Sequence, residues 1–275
     1  MRILIIQHDA DGGPGVLLPP LESAAEIAYW RVWESAERPD LDGFDAIVSL
    51  GGTAHPDQDD TQPWLAAELD LLEEALDFGT PVLGVCLGSQ LLARAGGGQV
   101  GQVEQPEVGV FRDVGVRAEA RDDLLFAALP RPFFGLEWHY YGFELPPGAT
   151  LLAANDSSNQ AFRLQNRAWG VQFHLEIDAP GLLGWADLAP EVIEAAGGRA
   201  RFEKSIETFM DQSTAAARAV AERFAVVVAV TAGELPPAAL DALEHRPDPI
   251  AEAQAAGVPP EVIAAMLQMR DQQRF

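Results

Sequence analysis

The chain's only cysteine, Cys86, sits in the stretch Gly84-Val85-Cys86-Leu87-Gly88, between the apolar run Pro81 to Val85 and the helix-compatible segment Ser89 to Ala95. Glycines on both sides permit a tight strand-to-helix turn, which pushes the intervening side chain out of a sheet and into the crevice at the strand ends. The next amides belong to a helix N-terminus, whose partial positive charge favours a thiolate and an oxyanion. A thiol that attacks an acyl group needs a base. Of the five histidines, His8 and His55 follow strand-like runs in loops, His245 lies far downstream, and His139 falls in Trp138-His139-Tyr140-Tyr141. His174 differs, because it closes the run Trp169 to Phe173 and Glu176 follows two residues later. Residues i and i+2 of an extended chain share a face, so Glu176 can fix the tautomer of His174 and leave its other nitrogen for the thiol. Gly51-Gly52 ends another buried run, where a glycine frees a backbone N–H to face a developing oxyanion together with the N–H of Leu87. Each feature also has a plainer reading: a buried structural cysteine, a solvated His–Glu pair, a loop turn. On the Cys86 stretch alone the two readings stand level.

The elements that must position these residues are legible in the hydrophobic pattern. Arg2 to Gln7 and Asp45 to Leu50 read as buried strands, and Pro81 to Val85 as a third. Leu21 to Trp33 reads as an amphipathic helix. Pro63 to Phe78 carries apolar residues at helical spacing and stops before Gly79, and Ser89 to Ala95 is a short helix ended by Gly96-Gly97-Gly98. Strands alternating with helices predict an open, mostly parallel α/β sheet covered on both faces. Val108 to Val116, Phe133 to Phe143 and Ala161 to Leu164 are shorter strand candidates expected to form an antiparallel extension. Trp169 to Phe173 is a further buried strand, with helical segments near Leu188 to Ala196 and Phe202 to Val228. Prolines and glycines punctuate the chain from Thr231 onward. The expected division is therefore a main domain over 1–230 and a helical C-terminal extension over 231–275, with pieces at Ala238 to Leu243 and Pro260 to Arg270.

Three features in the right order on one α/β scaffold carry more than their sum. GVCLGSQLLA, the upstream SLGG, and NQAFR followed by WGVQFHLE together resemble a class I glutamine amidotransferase domain, with PWLAAELDLLEEAL ahead of the nucleophile strand and FELPPGATLLA continuing the pattern. The likeness runs from about Arg2 to Val230. It implies a flavodoxin-like fold and a Cys-His-Glu triad: Cys86 attacks the side-chain amide of glutamine and releases ammonia through a thioester, His174 activates the thiol and protonates the leaving group, and Glu176 orients His174. It further implies an oxyanion hole from the backbone amides of Gly52 and Leu87, and substrate contacts from Gly51, Gln90, His139 and Tyr140. No metal or cofactor is implied. Two departures stand out. The family often has His-Gly-Asp where this chain has His139-Tyr140-Tyr141, which removes an acid that would meet the substrate α-amino group. It also commonly has Pro where this chain has Leu175, a change that lifts a φ constraint but leaves both flanking side chains in place.

The expected reaction is hydrolysis of a γ-glutamyl amide, with a separate synthase subunit as one destination open to the ammonia. A γ-glutamyl peptidase acting alone on a small metabolite is the alternative, and a non-catalytic binding module keeping the fold is a reading of another class. The 275 residues include 42 acidic and 18 basic ones, for a formal charge of −24, so nucleic acid and anionic membrane surfaces are poor partners. No apolar run is long enough for a membrane span or a signal peptide core, and one cysteine rules out an intrachain disulfide, which fits a reducing cytoplasm. The extension is expected to cap the domain or to make a homo-oligomeric contact.

Overall fold

The computed structural model describes residues 1–244. The N-terminal run forms β1 (Arg2–Gln7), in which Ile3 and Ile5 pack on one face of a sheet and Leu4 and Ile6 on the other. Both faces are covered, so the strand reads as continuously apolar rather than alternating. The next two sheet strands are β3 (Ala46–Ser49) and β4 (Val82–Val85), joined by α2 (Pro63–Phe78). A fourth, β9 (Ala168–Val171), lies beside β4. These four run parallel in the order β1-β3-β4-β9, so their carboxyl ends share one edge. One face is covered by α1 (Leu18–Ala24) and by the long α6 (Arg199–Thr231), whose Val220, Phe224 and Val228 are fully buried or nearly so. The other is covered by α2, through Trp64, Leu65 and Leu72, and by α3 (Leu87–Ala95), through Leu91 and Leu92.

Of the helix expected over Leu21 to Trp33, only residues 21–24 are helical, as the end of α1. After α1 the chain turns extended at Ala25 and makes the edge strand β2 (Glu26–Arg31), paired in parallel with β1 from Arg2↔Glu26 to Gln7↔Arg31. The segment is rich in aromatic and β-branched residues, and it alternates: Ile27 and Tyr29 pack on one core and Trp30 on the other. The open edge of β1, with its row of unpaired amides and carbonyls, decides the outcome over helical spacing.

The middle of the chain divides in two. β7 (Thr150–Ala154) and β8 (Asn159–Leu164) extend the main sheet, antiparallel beyond β9. By contrast, β5 (Val100–Asp113) and β6 (Phe134–Phe143) pair only with each other, as a two-stranded antiparallel sheet. This ribbon is held against the parallel sheet edge by an isolated bridge in which the His174 N–H donates to the Leu136 carbonyl at 2.9 Å. The predicted helix near Leu188 to Ala196 is resolved into α4 (Ala179–Leu188) and α5 (Pro190–Ala195), which pack with α6 around Phe202, Ile206 and Met210. Beyond α6, α7 (Ala238–Glu244) coincides with an expected helical piece. Its Leu240 and Leu243 pack on the main core, Arg223 donates to the Leu243 carbonyl at 2.8 Å, and Glu234 pairs with the N-terminal ammonium at 2.9 Å. The helix expected over Pro260 to Arg270 lies outside the described residues.

Candidate active site

Between β4 and α3 the chain passes through Cys86 at φ 49° and ψ −106°, a region a side-chain-bearing residue enters only under constraint. Two features hold it there. The Cys86 N–H donates to the Val171 carbonyl at 2.8 Å, fastening the elbow to β9. The flanking glycines let three pieces of backbone touch: a Cβ on Gly84 would lie 2.6 Å from the Gly88 carbonyl, and one on Gly88 would overlap the Ser49 carbonyl at the end of β3. The elbow aims the thiol at the edge where β1, β3, β4 and β9 all end.

His174 lies just past β9. Its Nδ1 is 2.7 Å from Glu176 Oε1, on the same face of the extended segment, and its ring stands edge-on to Trp185 with centroids 4.9 Å apart. Nδ1–H is thereby committed to the carboxylate, and the other nitrogen remains for the thiol. Burial alone would lower the pKa of this imidazole. Glu176 and Cys86 outweigh burial and hold it well above the usual histidine range. Gly51 fits against both partners, since a Cβ there would sit 3.0 Å from His174 Cε1 and 3.5 Å from Cys86 Cβ. Among the described residues, neither the Gly52 amide nor the Leu87 amide has an acceptor. Gly52 lines the same cavity as Cys86, and Leu87 follows Cys86 in the chain.

Cys86, His174, Glu176, Gly51 and Gly52 line one cavity of about 200 Å³. Its remaining wall includes Trp138 and Trp185, packed edge to face at 5.6 Å, and Asp9, whose carboxylate accepts from the Thr53 amide at 2.6 Å and the Thr53 hydroxyl at 3.0 Å. No motif exposed these residues, because the two tryptophans are brought together only by the packing of β6 on α4. Gln90 is buried behind the thiol. Its Nε2 donates to the Tyr141 carbonyl at 2.9 Å and to Gln172 Oε1 at 3.1 Å, while Gln172 Nε2 points at Cys86 Sγ from 3.7 Å. Gln90 thus reaches the thiol through Gln172.

The structure does not bring His139 and Tyr140 into the cavity. Tyr140 is 48% exposed and lines a separate shallow groove with Glu107 and Glu191. His139 is buried, with Nδ1 at 3.0 Å from the Tyr141 carbonyl and Nε2 at 3.1 Å from Glu137 and 3.5 Å from Glu107. Burial would lower the pKa of His139, but the hydrogen bonds to Glu107 and Glu137 more than offset it and push it up to about 9. Its Nδ1 must donate to a carbonyl and its Nε2 faces two carboxyl groups, an arrangement that favours the imidazolium. The three groups offer one ligand atom each, all within 4.8 Å of one another.

Comparison with known proteins gives the family and the fold. The family model described as glutamine amidotransferase class-I matches residues 21–180. YfeJ of Salmonella typhimurium, whose name describes it as glutamine amidotransferase-like, is 29% identical over 212 residues, covering 75% of this chain and 88% of that protein. A chain of the glutamine-hydrolysing GMP synthase of Ignicoccus hospitalis is 33% identical over 144 residues, covering 50% of this chain and 70% of that one. The crystal structure of a glutamine amidotransferase from Thermotoga maritima superposes with a TM-score of 0.72 at 26% identity, covering 82% of this chain and 98% of that one.

Proposed function

The chain belongs to the class I glutamine amidotransferase family, and from that premise we propose that it hydrolyses a γ-glutamyl amide, glutamine in the first instance, through a thioester on Cys86. The reading rests on one observation: a thiol, an imidazole paired with a carboxylate, and Gly52 with its unpaired amide share a cavity at the carboxyl ends of parallel strands, and a second unpaired amide belongs to Leu87, the residue after the thiol. The sulfur attacks the γ-carbonyl carbon, and the carbonyl π electrons move onto oxygen, which the amides of Gly52 and Leu87 stabilise. Collapse of this intermediate breaks the C–N bond as the His174 imidazolium gives its proton to the departing ammonia. His174 then takes a proton from water as the water attacks the thioester, and the freed sulfur leaves with glutamate as the other product. Glu176 keeps Nδ1–H engaged throughout, so the catalytic nitrogen always faces the sulfur. The chemistry uses only the chain's own groups.

Asp9 supplies what Tyr141 cannot. Its carboxylate, fixed by Thr53 on the cavity wall, is placed to accept the substrate α-ammonium. The likeness to a GMP synthase chain supports transfer of the ammonia to a separate cytoplasmic synthase. A stand-alone γ-glutamyl hydrolase is the second reading, favoured by the Trp138–Trp185 wall, which offers an aromatic surface to a leaving group larger than ammonia. Ammonia release from glutamine and glutamate release from γ-glutamyl amides decide between them. Cys86→Ala is expected to reduce either rate by several powers of ten, and unchanged turnover in that variant would remove the assignment.

A further inference from the structure

The peptide that joins Gly51 to Gly52 has its two polar ends on opposite sides, as any trans peptide does. One end is the unpaired N–H of Gly52, which lines the cavity with Cys86. The other, the Gly51 carbonyl, lies 3.2 Å from His8 Nδ1. His8 is itself buried at the end of β1 and stacks on Trp64 with centroids 5.0 Å apart. Its Nε2 lies 2.7 Å from Glu68 Oε2, and Glu68, fully buried on α2, accepts the Ser49 hydroxyl on its other oxygen at 2.6 Å. A carbonyl cannot donate, so the contact to Gly51 requires a proton on His8 Nδ1. A carboxylate at Nε2 supplies the second partner that keeps both nitrogens protonated. Neither His8 nor Glu68 lines the cavity, so the reaction described above leaves a buried His–Glu pair without a task.

We propose that His8 and Glu68 are positioning residues for the oxyanion hole: His8 grips the Gly51 carbonyl and so turns the Gly52 N–H toward the oxygen that becomes negative when Cys86 attacks its carbon. An isolated two-glycine segment has little preference of its own between the two orientations of this peptide. In the flipped orientation the Gly51 carbonyl would face the developing negative charge and oppose it. A buried hydrogen bond from a charged donor is worth more than a neutral one, which is enough to select one orientation. Glu68 has a second effect through Ser49, whose backbone carbonyl packs against Gly88. The same carboxylate therefore ties together the two strand ends that carry the two oxyanion donors. Burial would lower the pKa of His8, but Glu68 overcomes that effect and raises it, the direction that favours a charged donor.

This inference rests on the proposed thiol chemistry, and its test separates the two. Two reagents react with a thiol by different routes: p-nitrophenyl acetate acylates it through a tetrahedral oxyanion, whereas iodoacetamide alkylates it by displacement with no oxyanion. Neither depends on the identity of the natural substrate. In the full-length protein, His8→Phe keeps a ring on Trp64 and removes the donor. It should slow single-turnover acylation of Cys86 by at least about tenfold, toward the 10²–10³ cost of deleting an oxyanion donor, while alkylation stays within about twofold. His8→Asn, whose amide nitrogen falls near the position of Nδ1, should recover most of the acylation rate. Glu68→Gln, a milder variant that keeps a hydrogen-bonding partner for His8 and leaves Ser49 an acceptor, should lose less than His8→Phe. Equal losses in both reactions would show a general disturbance of the Cys86–His174 pair and overturn the proposal, as would unaltered acylation in His8→Phe. Normal reagent chemistry at Cys86 without turnover of any γ-glutamyl amide would instead count against the proposed function and leave the positioning role standing.

Discussion

At the scale of single residues, the site is a set of constraints around one strained position. Cys86 adopts a positive φ that costs a side-chain-bearing residue about 1–3 kcal/mol. That cost is offset by its bond to Val171 and by the close packing that Gly84 and Gly88 allow. The charge on His174 is maintained against burial by Glu176 and Cys86. Glu176→Gln keeps an acceptor for Nδ1–H but removes the negative charge, so the imidazolium becomes easier to deprotonate. The alkaline limb of kcat/KM should move to lower pH, with a loss of at least about tenfold in rate. A pH–rate profile that keeps its alkaline limb in this variant would separate Glu176 from the titration of His174. Cys86, His174, Glu176 and Gly51-Gly52 were legible because each lies in a short local pattern. His8 and Glu68 were not, since the pair spans 60 residues and exists only once β1 and α2 are packed side by side.

At the scale of elements, four parallel strands bring the site together and the β5–β6 ribbon closes it. β1, β3, α2, β4 and α3 follow from their sequences because strand and helix periods differ clearly there. β2 does not, because seven residues of α1 and six of strand mimic a single helical pattern, and only the free edge of β1 decides between them. The ribbon is anchored from within by His139. Facing its ring are Glu137 and Glu107, and the Tyr141 carbonyl takes its Nδ1 proton. Glu107 is also bound by Arg112, Asn155 and Gln160. The folded-state pKa of His139 lies above its ordinary value of 6.5. Its contribution to stability is therefore full below pH 6.5 and is lost as pH rises through about 9. Above that, two buried carboxylates face each other without their shared cation. Thermal denaturation of the wild-type protein should show Tm falling by several degrees between about pH 7 and pH 9.5, since about 1 kcal/mol moves Tm by about 2–4 °C in a domain of this size. In His139→Gln that slope should flatten, and an identical slope would show that the alkaline loss arises elsewhere.

At the scale of the whole molecule, a formal charge of −24 surrounds a site whose wall also carries Asp9 and Glu176. No helix of the described residues is long and apolar enough to cross a membrane. Self-repulsion among the surface carboxylates opposes the compact state and is screened by salt, whose Debye length falls from about 10 Å at 0.1 M to about 3 Å at 1 M. Raising sodium chloride over that range should raise Tm, and a fall would mean that the attractive ion pairs outweigh the repulsion. The acidity was readable from composition and the mostly parallel sheet from the alternation of strands and helices. The separation of the β5–β6 ribbon from the main sheet was not, because pairing partners depend on contacts that no local pattern records. The proposed reaction turns on one atom, Cys86 Sγ, as an acceptor of glutamyl groups. Its sharpest test is intact-mass analysis after incubation with the glutamine analogue 6-diazo-5-oxo-L-norleucine. A single covalent adduct on Cys86 is expected, slowed by added glutamine and absent from Cys86→Ser. A wild-type protein that stays unmodified, or a Cys86→Ser protein that still releases ammonia from glutamine at the wild-type rate, would refute the thioester route.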